Sequence, residues 1–168
     1  YEMSASLVGS EMCIRDRAVT LAEIPVEVVK TRTIQQGLTA MMGYNPDADL
    51  EQNAAEMSEM MADVKSAQVT QAVRETKFNG HEIHHGDWMG IIDGDIEVVA
   101  HNVESAAQEA IQKMIDDDSE IVTIIFGEGT KAKVAQKLKA FVEELDDGLE
   151  VEVHDGGQPL YPFFISVE

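Results

Sequence analysis

The sequence reads as an α/β domain: a mixed sheet with amphipathic helices, an inserted β-meander, and a C-terminal strand-helix-strand-strand unit. Three observations carry that reading. Leu50, Ala54, Met57, Met61 and Val64 recur at helical spacing and put one apolar stripe on a helix over residues 49–65. Ile121 to Phe126 is a near-continuous apolar run, the pattern of a strand covered on both faces. The turn pairs Asn79-Gly80 and Asp93-Gly94 punctuate short β-prone runs, as hairpins require.

Taken in order, residues 18–23 read as the tail of a helix, and Val26 to Val29 as a short strand after Pro25. A short helix follows from Ile34 to Gly43, weakened by Gly37, and Asn45-Pro46-Asp47 stops it and opens the next. Acidic residues in the first turn of helix 49–65 favour its dipole. Its methionines, Met57, Met60 and Met61, are read as core packing rather than as an adaptable binding surface. Residues 67–76 alternate as a strand. Residues 81–85, 88–92 and 96–99 then form the meander, with Gly86-Asp87 as an additional turn. Asn102 caps a helix whose Val103, Ala107, Ala110, Ile111 and Met114 share a face. Strand 121–126, helix 130–145 and strand 149–153 make a βαβ-like unit. The chain closes on Phe163-Phe164-Ile165-Ser166-Val167, a strand too apolar to lie exposed.

Between the last two strands, Gly156 and Gly157 permit unusual backbone angles, and Pro159 and Pro162 stiffen the chain beyond them. Residues 155–161 are therefore a shaped loop at a strand end, either a binding feature or a connection.

Composition narrows the function. The net charge of −20 comes from 32 acidic against 12 basic residues, spread over helix faces and turns. That balance disfavours nucleic acid and anionic membranes, which need a basic footprint, and otherwise serves solubility. No apolar run approaches the roughly 20 residues of a membrane span. A lone cysteine, Cys13, allows no internal disulfide and fits a cytoplasmic setting. Residues 1–17 show neither signal-peptide organisation nor a sustained period. Their run Met-Ser-Ala-Ser-Leu-Val-Gly-Ser-Glu-Met-Cys-Ile-Arg-Asp resembles a translated sequencing adaptor. They are set aside as a non-biological leader, leaving residues 18–168 as one domain, incomplete at its start.

The chemical constellations are sparse. His81, His84, His85 and Asp87 suggest a metal, but strand alternation sets His84 opposite His81 and His85, and the expectation is an exposed hairpin with no metal. Gly127-Glu128-Gly129 precedes a helix, yet carries an acidic residue and lacks the lysine of a phosphate loop. No nucleophile elbow is present. The residues by themselves describe an α/β domain without a visible catalytic group.

Six ordered blocks are more specific: Thr33 to Gly37, Asn45 to Leu50, Gln68 to Arg74, Gly86 to Ile91, Asp118 to Ile125, and His154 to Pro162. Together they closely resemble the C-terminal part of the bacterial fatty acid kinase catalytic subunit, which carries a dihydroxyacetone-kinase-type (DhaL-like) ATP domain. Gln35 stands where that family commonly has proline, and His84-His85 where it has lysines. The resemblance implies a phosphotransferase parent in lipid metabolism whose N-terminal domain binds Mg-ATP. It further implies a DegV-like carrier protein that presents the fatty acid for conversion to acyl phosphate. This chain would then be a partner-docking region with no cofactor of its own, catalytically inert alone, with a homodimer through the parent left open. Residues 121–167 also look distantly like the last unit of the carriers themselves, so a small-molecule or lipid-binding module and a structural scaffold stand as alternatives. For partner contact the candidates are Arg74, His154, Asp155, Gln158 and Tyr161, since a strand-end arginine and a stiff polar loop offer directional contacts. Gly156, Gly157, Pro159 and Pro162 shape that loop.

Overall fold

The computed structural model describes residues 19–78 and 80–168, and the leader expected over residues 1–17 lies outside them. The chain divides into two compact units, Tyr1–Val64 and Lys65–Glu168.

In the first unit, helix α1 (Ile34–Met42) packs against helix α2 (Leu50–Met60). Thr33 caps α1 by accepting from the Gln36 amide, and Asp49 caps α2 by accepting from Gln52. Buried Asn53 organises the connection. Its Oδ1 accepts from the Asn45 amide at 2.7 Å, and its Nδ2 donates to the carbonyls of Asn45, Ala48 and Asp49. A Cβ on Gly43 would stand 2.8 Å from Met60 Cγ, so a glycine is what lets the end of α1 approach α2.

Three expectations change in this unit. Residues 26–29 are not a strand: no neighbouring segment among the described residues pairs with them, and a strand without a ladder has nothing to fix it. Helix α2 stops at Met60, and i→i+3 bonds to Ala62 and Val64 tighten the chain beyond it. The methionine stripe is only partly core, because Met57 and Val64 are buried while Leu50 and Met60 are exposed.

The second unit is a six-stranded mixed sheet in the order β5-β4-β1-β8-β6-β7. Its strands are β1 (Lys65–Gln71), β4 (Trp88–Ile92), β5 (Asp95–Ala100), β6 (Ile121–Phe126), β7 (Glu150–Asp155) and β8 (Phe163–Val167). A separate two-stranded ribbon pairs β2 (Thr76–Phe78) with β3 (His81–Ile83). The mixed sheet and amphipathic helices are as the patterning predicts. The meander, however, is not one segment: β4 and β5 join the main sheet beside β1, while β2 and β3 stand apart. Asp93 (φ 49°) and Gly94 (φ 100°) form the two-residue turn between β4 and β5. Asp93 Oδ1 fastens that turn to β1 by accepting from the Ser66 amide and hydroxyl.

Helices α3 (Val103–Met114) and α4 (Ala132–Leu145) pack together on one face of the sheet. Asn102 accepts from the Ser105 amide to start α3, and Lys65 donates to the Met114 carbonyl at its end. The shared core takes alternate residues from the strands: Ala67 and Val69, Val122 and Ile124, and Phe163, Ile165 and Val167. Ala106, Ala107, Ala110 and Ile111 on α3 and Leu138 and Val142 on α4 meet them. Each large side chain fully withdrawn here contributes about 1.5–3 kcal/mol. Gly90 lies directly beneath α3, where a Cβ would stand 3.3 Å from that of Ala110.

The terminal strand β8 is antiparallel to both neighbours, β1 and β6, and all five of its residues are buried. On β6, Val122 and Ile124 face the helices and are buried, whereas Ile121, Thr123 and Ile125 are only half covered. The strand expected to be covered on both faces is fully covered on one.

Candidate functional site

The strand register brings every sequence-derived candidate to one end of the sheet. Gln71 pairs with Trp88, Val69 with Phe163, and Phe126 with both Phe163 and Asp155. The carboxyl ends of β1, β5, β6 and β7 therefore emerge together, beside the starts of β4 and β8. Loops 127–130 and 156–162 and the β2–β3 ribbon lie at this end.

Loop 156–162 is cross-stitched to its surroundings. Half-buried Gln158 donates through Nε2 to the carbonyls of Ile125 (3.1 Å) and Tyr161 (3.2 Å), and its own carbonyl accepts from the Glu128 amide at 2.9 Å. The Gly127 amide donates to Pro162. Glycine is required at two positions by this crowding. A Cβ on Gly127 would sit 2.4 Å from the Tyr161 oxygen, and one on Gly156 would sit 2.2 Å from Gln158 Oε1. Gly157 adopts φ 59°, and its amide donates to Asp155 Oδ1.

The same bonds bear on phosphate chemistry. A loop that cradles phosphate needs free amides. Here the amides of Gly127, Glu128 and Thr130 donate to Pro162, Gln158 and Gly127. Lys131, at the N-cap of α4, makes no capping bond through its side chain. With those amides engaged, this loop does not fit a nucleotide.

The tip of the loop is a γ-turn. The Tyr161 amide donates to the Pro159 carbonyl at 2.9 Å, with Leu160 between them at φ 70°. A positive φ in a leucine places Cβ against the backbone at a penalty of about 1–2 kcal/mol. Thr70 Oγ1 on β1 donates to the Leu160 carbonyl, which ties the strained residue to the sheet. The leucine side chain is 83% exposed.

Leu160 and Tyr161 stand on one side of a cleft of about 560 Å³. Ile83, Trp88, Met89 and Ile96 supply its apolar surface, and the chain leaving β1, through Val73 and Arg74, forms the other side. Strand β1 ends at Gln71, earlier than the alternation suggested, so Val73 is also 83% exposed. The Tyr161 ring packs at 5.2 Å from Phe164. Arg74 is the single arginine in residues 65–168, and it has no ion pair or hydrogen bond among the described residues. No carboxylate lines the cleft among those residues.

Of the five proposed contact residues, Arg74 and Tyr161 thus share the cleft. Gln158 holds the loop from behind. His154 and Asp155 end the edge strand β7, with β8 and β6 between them and β1, and His154 Nε2 lies 3.0 Å from Glu152 Oε2. Pro159 and Pro162 flank the γ-turn and supply carbonyls to it and to Gly127. Sequence reasoning missed Leu160, Val73 and the role of Gly127. The alternation around Val73 pointed to a continuing strand, and nothing local marks Leu160 for a positive φ.

Two of the histidines flank an aspartate instead of gathering into a metal centre. Asp87 accepts from the His84 amide at 2.8 Å, with His84 Nδ1 3.4 Å and His101 Nδ1 3.8 Å from its carboxylate. Donation from the His84 amide holds the Asp87 carboxyl below its ordinary value, against a partial loss of hydration. Among the described residues no group of three metal-ligating side chains is close enough to hold an ion.

The fold is that of an α/β protein, a six-stranded mixed sheet with two helices packed on one face. It matches the crystal structure of a fatty acid binding DegV family protein from Streptococcus agalactiae with a TM-score of 0.54. That match covers 93% of this chain and 64% of the other, at 12% identity, a likeness of fold alone. More particularly, the chain belongs to the FakA-like C-terminal family of fatty acid kinase, whose model matches residues 14–168. The match begins within the segment expected to be a foreign leader. Protein YloV of Bacillus subtilis is 40% identical over 153 residues, and an uncharacterised Staphylococcus aureus protein is 38% identical over the same length. Each alignment covers 91% of this chain and 28% of the relative, so the chain spans little more than a quarter of the curated relatives it matches.

Proposed function

We propose that this chain is the region of a fatty acid kinase catalytic subunit that docks a fatty-acid-carrying DegV-like protein. The docked carrier would present its acyl chain to an ATP domain elsewhere in the full-length kinase, which makes the acyl phosphate. The observation that carries this reading is membership of the FakA-like C-terminal family over nearly the whole chain. A likeness of fold to a fatty acid binding DegV family protein is compatible with it. Mg-ATP, on this reading, belongs to the other region of the kinase, in keeping with a loop at Gly127 whose amides are already engaged. The strongly acidic composition and the lack of a membrane-length apolar helix among the described residues are compatible with the cytoplasmic setting we assign.

Two measurements test it. Calorimetric titration of the chain with an oleate-loaded DegV-family protein should give saturable binding. An acyl-phosphate assay with ATP and the same loaded carrier should give no turnover by this chain alone, and clear turnover would sink the division of labour. A folded chain that binds no DegV-family protein would refute the docking role.

A further inference from the structure

We infer that the cleft between Leu160 and Arg74 is the face that reads the partner, and that its counterpart is an apolar side chain flanked by a carboxylate on a protein surface. The inference rests on the docking reading above and goes beyond it by assigning the surface and its chemistry. Three independent features of the cleft carry it.

The first is charge. In a chain of net charge −20, the cations Lys65, Lys77, Lys113, Lys137 and Lys139 are each matched to a nearby carboxylate, while Lys30, Arg32, Lys131 and Lys133 make no such pair among the described residues. Arg74 has no such match among the described residues, and no carboxylate lines the cleft it borders. What sets Arg74 apart from the other unmatched cations is its place beside an apolar depression, where a guanidinium without a partner is complementary to a carboxylate arriving from outside. The guanidinium repels a partner offering a cation.

The second is exposed apolar area. Val73 and Leu160, both lining the cleft, stand 83% exposed, and Trp88 and Tyr161 beside them are half covered. Tryptophan, tyrosine and arginine around a small apolar depression are the residue types that dominate the energetics of protein interfaces. The cleft opens broadly at the surface, which suits a side chain presented by a partner.

The third is strain. Leu160 is held at φ 70° in a γ-turn: Thr70 donates to its carbonyl, the Tyr161 amide donates across it to Pro159, and the Gln158 side-chain amide donates to the Tyr161 carbonyl just beyond it. An unfavourable backbone that the surroundings over-determine, whose one result is to present an apolar side chain to solvent, is the pattern of a binding feature. A loop that served only as a connection would be better built with glycine or asparagine at this position.

The test uses the intact chain and a panel of purified, oleate-loaded DegV-family proteins, the Streptococcus agalactiae protein among them, with binding measured by calorimetry. Arg74→Glu should weaken binding at least 30-fold and Leu160→Gly at least tenfold. Leu160→Gly should melt no lower than the parent, which separates lost binding from lost folding. Glu152→Lys, on the far edge strand, should bind within twofold of the parent. A carboxylate-to-lysine change on the partner that restores affinity for Arg74→Glu would identify the pair. If the parent chain binds while Arg74→Glu and Leu160→Gly bind as well as it does, the surface assignment is overturned and the docking reading survives. If the parent binds no member of the panel, both fall together.

Discussion

Replacing Gly127 by alanine probes whether loop 156–162 is held as tightly as its hydrogen bonds suggest. The added Cβ would stand 2.4 Å from the Tyr161 oxygen and 2.5 Å from the Gln158 oxygen. Both are backbone atoms, which cannot swing aside as a side chain would. Restoring an ordinary contact requires the loop to retreat by about 1 Å. That movement pulls on four bonds: Gly127 amide to Pro162, Glu128 amide to Gln158, and Gln158 Nε2 to Ile125 and to Tyr161. At about 1 kcal/mol each, loss of two or three destabilises the unit by about 2–3 kcal/mol. Gly129→Ala is the matched control. Gly129 has φ 82° with nothing within 4 Å of its missing Cβ, so alanine there meets only the backbone penalty of about 1–2 kcal/mol. Urea unfolding of the two variants beside the parent, followed by far-ultraviolet circular dichroism, measures the difference. If Gly127→Ala unfolds within about 0.5 kcal/mol of the parent, or proves milder than Gly129→Ala, the account of the loop as a rigid, cross-stitched element is wrong.

Other positions test other links. Leu138 is fully buried between α4 and the sheet, so Leu138→Ala should lose about 2–5 kcal/mol in the same unfolding assay, an effect no larger than about 1 kcal/mol arguing against that packing. Asn102→Ala should cost about 1 kcal/mol through loss of the cap on the Ser105 amide, and Asn102→Asp should retain most of it. Asp87 gives a pH signature. Its folded carboxyl is held below the ordinary 3.8, so the stabilisation it provides is present above that value and is lost as pH falls through the lower folded one. Melting temperature should therefore drop less steeply for Asp87→Asn than for the parent as pH is taken from about 5 to about 2.5. Parallel curves would remove the His84–Asp87 turn from the stability argument.

Much of the architecture is set by local pattern. The helical repeats of Ala107, Ala110, Ile111 and Met114, and of Leu138 and Val142, specify which face of each helix is buried. Asn102, Thr33 and Asp49 fix where helices begin, because a side-chain oxygen finds an orphan amide within one turn. Asp93-Gly94 fixes a hairpin because both residues tolerate a positive φ. The run Phe163-Phe164-Ile165 announces burial, since so much apolar surface is not left in water, and β8 is buried along its length.

Tertiary structure decided the rest. That β8 returns from the chain end to lie between β1 and β6 is a choice of partner across long sequence separation, and periodicity carries no information about partners. For the same reason the apparent meander splits, with β4 finding β1 while β2 and β3 pair alone, and residues 26–29, extended enough to pass for a strand, find no ladder among the described residues. The candidate site shows both sides of this division. Arg74 and Tyr161 could be singled out as residue types fit for recognition, and the six ordered blocks pointed to a family. Their meeting across one cleft, 87 positions apart in the chain, follows from strand register alone. The strained, exposed Leu160 is legible only in the fold, because its carbonyl is held by Thr70, 90 positions earlier in the chain, and its neighbour Tyr161 by the Gln158 side chain.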